Sequence, residues 1–181
     1  RPPNPGRSLR LNPRLCPNRL RSRSLRPDLP LRLNRSSFRN PLLRQLLADD
    51  RYKVIVRPHP EWIKRFPQKQ EAFQQRHQAE LEAGKFEFQT DFSSGDTVYQ
   101  SDLVITDWSS IAMEFSFTTC KPSLFINTPM KVMNPNYQEL NLEPLDLSLR
   151  DQLGRSVALD AVGSTAGQAV ADLLADAAGY Q

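Results

Sequence analysis

Leu42, Leu43, Leu46 and Leu47 fall on one side of a helical wheel, and this spacing predicts a helix over 41–49. Tyr52 to Val56 is short and β-branched, the pattern of a buried strand. Residues 61–83 read as helix interrupted at Pro67, with Trp62, Ile63 and Phe66 in a first apolar turn. Phe73 and Leu81 point inward from the second part, and Gly84 is placed to cap its end. His77 lies among Gln, Arg and Glu and is expected at the surface. Residues 85–90 alternate, with Phe86 and Phe88 on one face, as in a half-buried strand. One helical turn is expected over 96–100.

The next stretch is the most informative. Leu103 to Ile105 is an apolar run, Thr106 to Ser110 a polar corner, and Ile111, Met113 and Phe115 resume among small or acidic residues. A buried strand that ends in hydroxyls and then opens a helix is suited to anions. The first helical N–H groups lack intrahelical partners, and the helix dipole adds partial positive charge there. Residues 121–126 form a further short apolar strand leaving through Asn127-Thr128-Pro129. Residues 138–150 read as irregular or as a short helix, 151–153 as a turn stopped by Gly154, and 156–159 as a last strand. Residues 166–178 are alanine-rich and helical, with Val170, Leu173 and Leu174 as the core stripe.

Strands that look buried on both faces, alternating with helices, predict an α/β fold: a Rossmann-like parallel sheet with helices on both faces. In such a sheet ligands sit beyond the carboxyl ends of the strands. Three corners are expected at that edge: Arg57-Pro58-His59-Pro60, Thr106 to Ser110, and Asn127-Thr128-Pro129.

Charge divides the chain. Residues 1–40 hold eleven arginines and seven prolines against one acid, Asp28. The whole chain of 181 residues carries only +4, so residues 41–181 are net acidic. The basic character therefore belongs to the N-terminal segment, and no nucleic-acid partner is expected for the domain. Residues 1–40 show no helix or strand period and are expected to be a disordered basic segment, with 41–181 as the domain. Such a segment is a solvated tail, the product of a shifted or truncated reading frame, or a polybasic arm for anionic lipid or nucleic acid. Cys16 and Cys120 are far apart, which gives neither a disulfide framework nor a zinc spacing, and the expected compartment is reducing. No run has the length of a membrane span, and the N-terminus lacks the apolar core of a signal peptide.

Each polar residue at the corners has two readings. His59 leaves the strand end between prolines that hold the backbone extended, as a general base, a phosphate donor or a structural histidine. Ser109 and Ser110 offer hydroxyls and N–H groups to a phosphate, or simply cap the following helix. Thr106 ends the strand, and Asp107 orients the corner or His59, or forms an Asx turn. Glu114 accepts from a ribose hydroxyl or is an exposed helix charge. Arg57 neutralises phosphate or forms a surface ion pair. No metal cluster, cofactor or glycine-rich phosphate loop is expected.

Three segments taken in order resemble the CDP-glycerol glycerophosphotransferase family, which includes the teichoic-acid primases and polymerases. They are Arg57-Pro58-His59-Pro60, Ser101 to Ile111, and Lys121-Pro122 before an apolar strand. The resemblance covers about residues 41–160 and implies the C-terminal, donor-binding half of a GT-B transferase. It implies that His59 is catalytic and close to the donor pyrophosphate. It also implies that Arg57, Ser109 and Ser110 bind phosphate, that Thr106 and Asp107 orient the site, and that Glu114 contacts the ribose. Trp108 stands where tyrosine is usual.

The implied reaction is transfer of glycerol phosphate, or a related alditol phosphate, from a CDP-linked donor to a lipid-linked or polymeric glycan acceptor. The implied location is peripheral, on the cytoplasmic face of the membrane, in cell-envelope polymer synthesis. Family members also carry an N-terminal Rossmann-like half with a His-Gly loop. Residues 1–40 do not supply it, so the chain is expected to be the donor half only. The alternatives are a GT-B glycosyltransferase for another nucleotide sugar and a non-catalytic nucleotide-binding remnant.

Overall fold

The computed structural model describes residues 29–33, 39–91, 93, 96–129, 134 and 136–180. Its centre is one parallel six-stranded sheet in the order β3-β2-β1-β4-β5-β6. The strands are β1 (Leu29–Leu33), β2 (Tyr52–Val56), β3 (Phe86–Phe88), β4 (Leu103–Thr106), β5 (Ser123–Asn127) and β6 (Gly154–Ala158). The chain runs outward from β1 to β3, returns to place β4 beside β1, and runs outward again to β6. This is the Rossmann order, whose switch point lies between β1 and β4.

Period-two alternation along the strands builds two cores. Leu103, Ile105, Leu124 and Ile126 join Val54 and Val56 on one face, under α1 (Arg39–Leu47) and α9 (Val162–Ala175). The four leucines of α1 lie in this core, as the helical spacing predicts. Val104 and Phe125 point to the other face. There they meet Phe115 and Ala112 of α6 (Ile111–Thr119) and Leu153 of α8 (Arg150–Leu153). Burying a ring such as Phe115, which has no exposed surface, contributes about 3 kcal/mol.

Strand β1 corrects the expectation for residues 1–40. Leu29–Leu33 pairs with β2 on one side and β4 on the other, so it occupies the middle of the sheet. Two paired neighbours satisfy its backbone groups, which a local count of prolines and arginines does not anticipate. The domain therefore includes this strand, while residues 1–28 and 34–38 lie outside the described residues.

Two further expectations change. His77 is only 5% exposed. The helix breaks between α3 (Pro67–Arg76) and α4 (Gln78–Glu82), and the imidazole turns in against Phe73 and Phe86 at ring distances of 5.0 and 5.7 Å. Cys120 caps the C-terminus of α6 in the left-handed conformation. It belongs to a disulfide rather than carrying a free thiol. Cys16 lies outside the described residues.

Candidate functional site

Because all six strands are parallel, the exits of β2, β4 and β5 lie on the same edge of the sheet. Arg57-Pro58-His59-Pro60 follows β2, Asp107 to Ser110 follows β4, and Thr128-Pro129 follows β5. Only β1 separates β2 from β4, so at normal strand spacing the first two exits stand about 10 Å apart. The Lys121-Pro122 segment lies at the opposite edge. Lys121 Nζ there donates to the Ser101 carbonyl at 2.7 Å and to Asp102 at 3.0 Å, tying the starts of β4 and β5.

His59 is exposed and extended, and it caps α2 (Pro60–Arg65). Its Nδ1 accepts the Glu61 N–H at 3.1 Å. In the neutral ring an accepting Nδ1 places the proton on Nε2, which then serves as a donor. Arg57 is buried, which corrects the surface ion-pair reading. Its charge is felt at Asp91, just beyond β3. Hydrogen bonds from Ser93 first, and Arg57 further, hold that carboxyl below the usual carboxylate range.

At the β4 exit, Thr106 is fully buried, and among the described residues its Oγ1 has no hydrogen-bond partner. Asp107 is 2% exposed. Ser109 is half-buried and Ser110 exposed at the start of α6. Simple side-chain capping is not what Ser110 does. It already has helical φ and ψ, and its hydroxyl makes no cap bond. Its Oγ instead donates to Glu114 Oε1, one turn along, at 3.4 Å. Glu114 is exposed on the same turn. Ser109, Ser110 and Glu114 thus cluster at one helix start.

Arg150 at the start of α8 was not among the predicted site residues. It is 6% exposed, and its guanidinium lies 3.8 Å from the Trp108 ring centroid and 4.8 Å from that of Phe125. Its Nη2 donates to the Asp107 carbonyl and its Nη1 to Asn127 Oδ1, both at 2.7 Å. Its Nε donates to the Asp146 carbonyl at 3.1 Å. Burial pulls its pKa down, and the charges of Asp146 and Asp107 oppose that shift. Trp108 Nε1 in turn donates to the Thr128 carbonyl at 2.7 Å. The exits of β4 and β5 are therefore joined twice. A signal existed in the sequence only as an arginine in a region without periodicity.

Among the described residues, no three His, Cys, Asp or Glu side chains converge as metal ligands, and no helix is long and apolar enough to cross a membrane. No protein-family model matches the chain, and no curated protein matches it either.

Proposed function

We propose that this chain is the donor-binding, Rossmann-like half of a GT-B transferase. In this reading it moves glycerol phosphate, or a related alditol phosphate, from a CDP-linked donor to a lipid-linked or polymeric glycan acceptor. One observation carries the reading. The Arg57-Pro58-His59-Pro60 and Thr106 to Ser110 segments, 49 residues apart at their first residues in the sequence, leave parallel strands at one edge, beside the switch point. The ordered motifs of the resemblance support the choice of a CDP-linked donor.

In the proposed reaction the acceptor hydroxyl attacks the phosphorus attached to the alditol. A new O–P bond forms, the bridging P–O bond breaks, and CMP leaves. The acceptor proton is released to solvent, and the charge gathering on the pyrophosphate oxygens needs donors. Ser109 and Ser110 offer N–H and O–H groups at the start of α6. His59 is the catalytic residue in this reading. Its Nε2–H, set by the Nδ1 cap, donates to a phosphate oxygen or to the leaving CMP. Buried Arg57 adds positive charge behind the β2 exit. Glu114 accepts from a ribose hydroxyl. Thr106 and Asp107 hold the corner. The acceptor chemistry places the reaction at the cytoplasmic face of a membrane, with the protein bound peripherally.

Calorimetric titration with CDP, CDP-glycerol, UDP and GDP tests the proposal. Preference for the cytidine ligands is the expected outcome. Preference for UDP or GDP transfers the chain to the nucleotide-sugar glycosyltransferases. Cytidine binding that His59→Ala leaves untouched reduces the site to a nucleotide-binding module without His59 chemistry.

A further inference from the structure

Arg150 spends its polar atoms on the protein. Two of its three acceptors among the described residues belong to the strand exits: the carbonyl of Asp107, 43 positions away, and the amide oxygen of Asn127, 23 positions away. A buried guanidinium is costly unless its donors and its faces are both used. Here the nitrogens meet acceptors, and the charge lies over the Trp108 and Phe125 rings. The planar fork reaches both exits while stacking, which the point charge of a lysine cannot do. The bond to the Asp107 carbonyl also fixes a peptide plane. A trans peptide points its N–H opposite its carbonyl, so the Trp108 N–H faces away from Arg150. That peptide begins the path through Ser109 and Ser110 into α6.

We infer that Arg150 is a positioning residue, which locks the β4 exit to the β5 exit and so sets the shape of the anion corner at Ser109 and Ser110. The assignment of an anion to that corner rests on the function proposed above. The lock itself rests on geometry alone.

The test uses the full chain carrying Trp62→Phe. Trp108 is then the single tryptophan, because the sequence holds two. Arg150→Met removes the fork and keeps bulk, and acrylamide quenching of Trp108 reads the lock. Calorimetry with CDP reads the corner. Loosening the corner is expected to weaken CDP binding by about tenfold, and Trp108 quenching is expected to rise alongside it. Arg150→Lys is expected to restore neither in full. Val170→Ala, which destabilises the α9 core on the face of the sheet opposite α6, is expected to move neither.

Unchanged quenching in Arg150→Met overturns the lock. Raised quenching with unchanged CDP affinity overturns the positioning role. A parent protein that binds no CDP, yet shows raised quenching in Arg150→Met, overturns the nucleotide reading and upholds the lock. Where Arg150→Met does not fold, Asn127→Ala takes its place. It removes one acceptor at an exposed position, and it must shift both measurements in the same direction for the inference to stand.

Discussion

The Nδ1 atom of His59 accepts the backbone N–H of Glu61 at 3.1 Å, so one ring nitrogen is structural and the other faces outward. The two roles separate by mutation. Asparagine also caps helices through a side-chain oxygen, whereas alanine does not. His59→Ala is expected to lose about 1 kcal/mol of stability and His59→Asn only a few tenths. Both are expected to lose donor turnover when the chain is assayed within an active transferase. Urea unfolding beside the turnover assay checks the pair. Full turnover in His59→Asn removes the outward nitrogen from the chemistry.

Gly154 begins β6 against Ser123 of β5. A Cβ built there falls 1.7 Å from the Ser123 carbonyl oxygen, which is backbone and cannot swing aside. Gly154→Ala is expected to cost about 3 kcal/mol, measured as a lowered urea midpoint. The control is Gly84→Ala. It has open space around its Cβ but a φ of +72°, so its smaller cost comes from the backbone alone.

Ser116 Oγ and Ser123 Oγ lie 3.0 Å apart in the buried layer between α6 and β5. Removing either hydroxyl leaves the other without that partner, at about 1 to 2 kcal/mol. Removing both leaves no orphan. The double Ser116→Ala, Ser123→Ala variant is therefore expected to be no less stable than the weaker single variant. Strict additivity in a denaturation cycle refutes the pairing.

His77 supplies a pH dependence. Burial lowers its pKa, and Arg76 and Arg44 lower it further, while Glu80, 3.8 Å from Nδ1, raises it. The net shift is downward from the ordinary 6.5. The unfolded chain therefore binds the proton more readily than the native one between the two pKa values. Stability rises with pH wherever the unfolded state holds more protons. It is thus complete above pH 6.5 and is lost as pH falls below 6.5 toward the lowered native value. Thermal midpoints between pH 7.5 and 5 are expected to drop in the parent and to stay flatter in His77→Phe. Equal slopes in the two proteins defeat this account.

The leucines of α1, the strands β2 and β4, and the strand-to-helix corner were legible because each is a local pattern. Period 3.6 or period 2 over five to nine residues needs no partner to be seen. Parallel pairing followed from strands without a polar face. It places Arg57 to Pro60 and Thr106 to Ser110 at one edge from the sequence alone. What these residues do in detail was decided by contacts between distant positions. Leu29–Leu33 is a strand because β2 and β4 satisfy its backbone on both sides. His77 is buried because a helix break turns it toward Phe73 and Phe86. Arg150 meets Asp107 across 43 residues. The sequence determined the elements, their parallel order of burial and the polar corners, because local spacing and hydrophobicity act within a few residues. Only the tertiary structure decided which central strand completes the sheet and which arginine holds the corner, because hydrogen bonding and burial are satisfied in space and not along the chain.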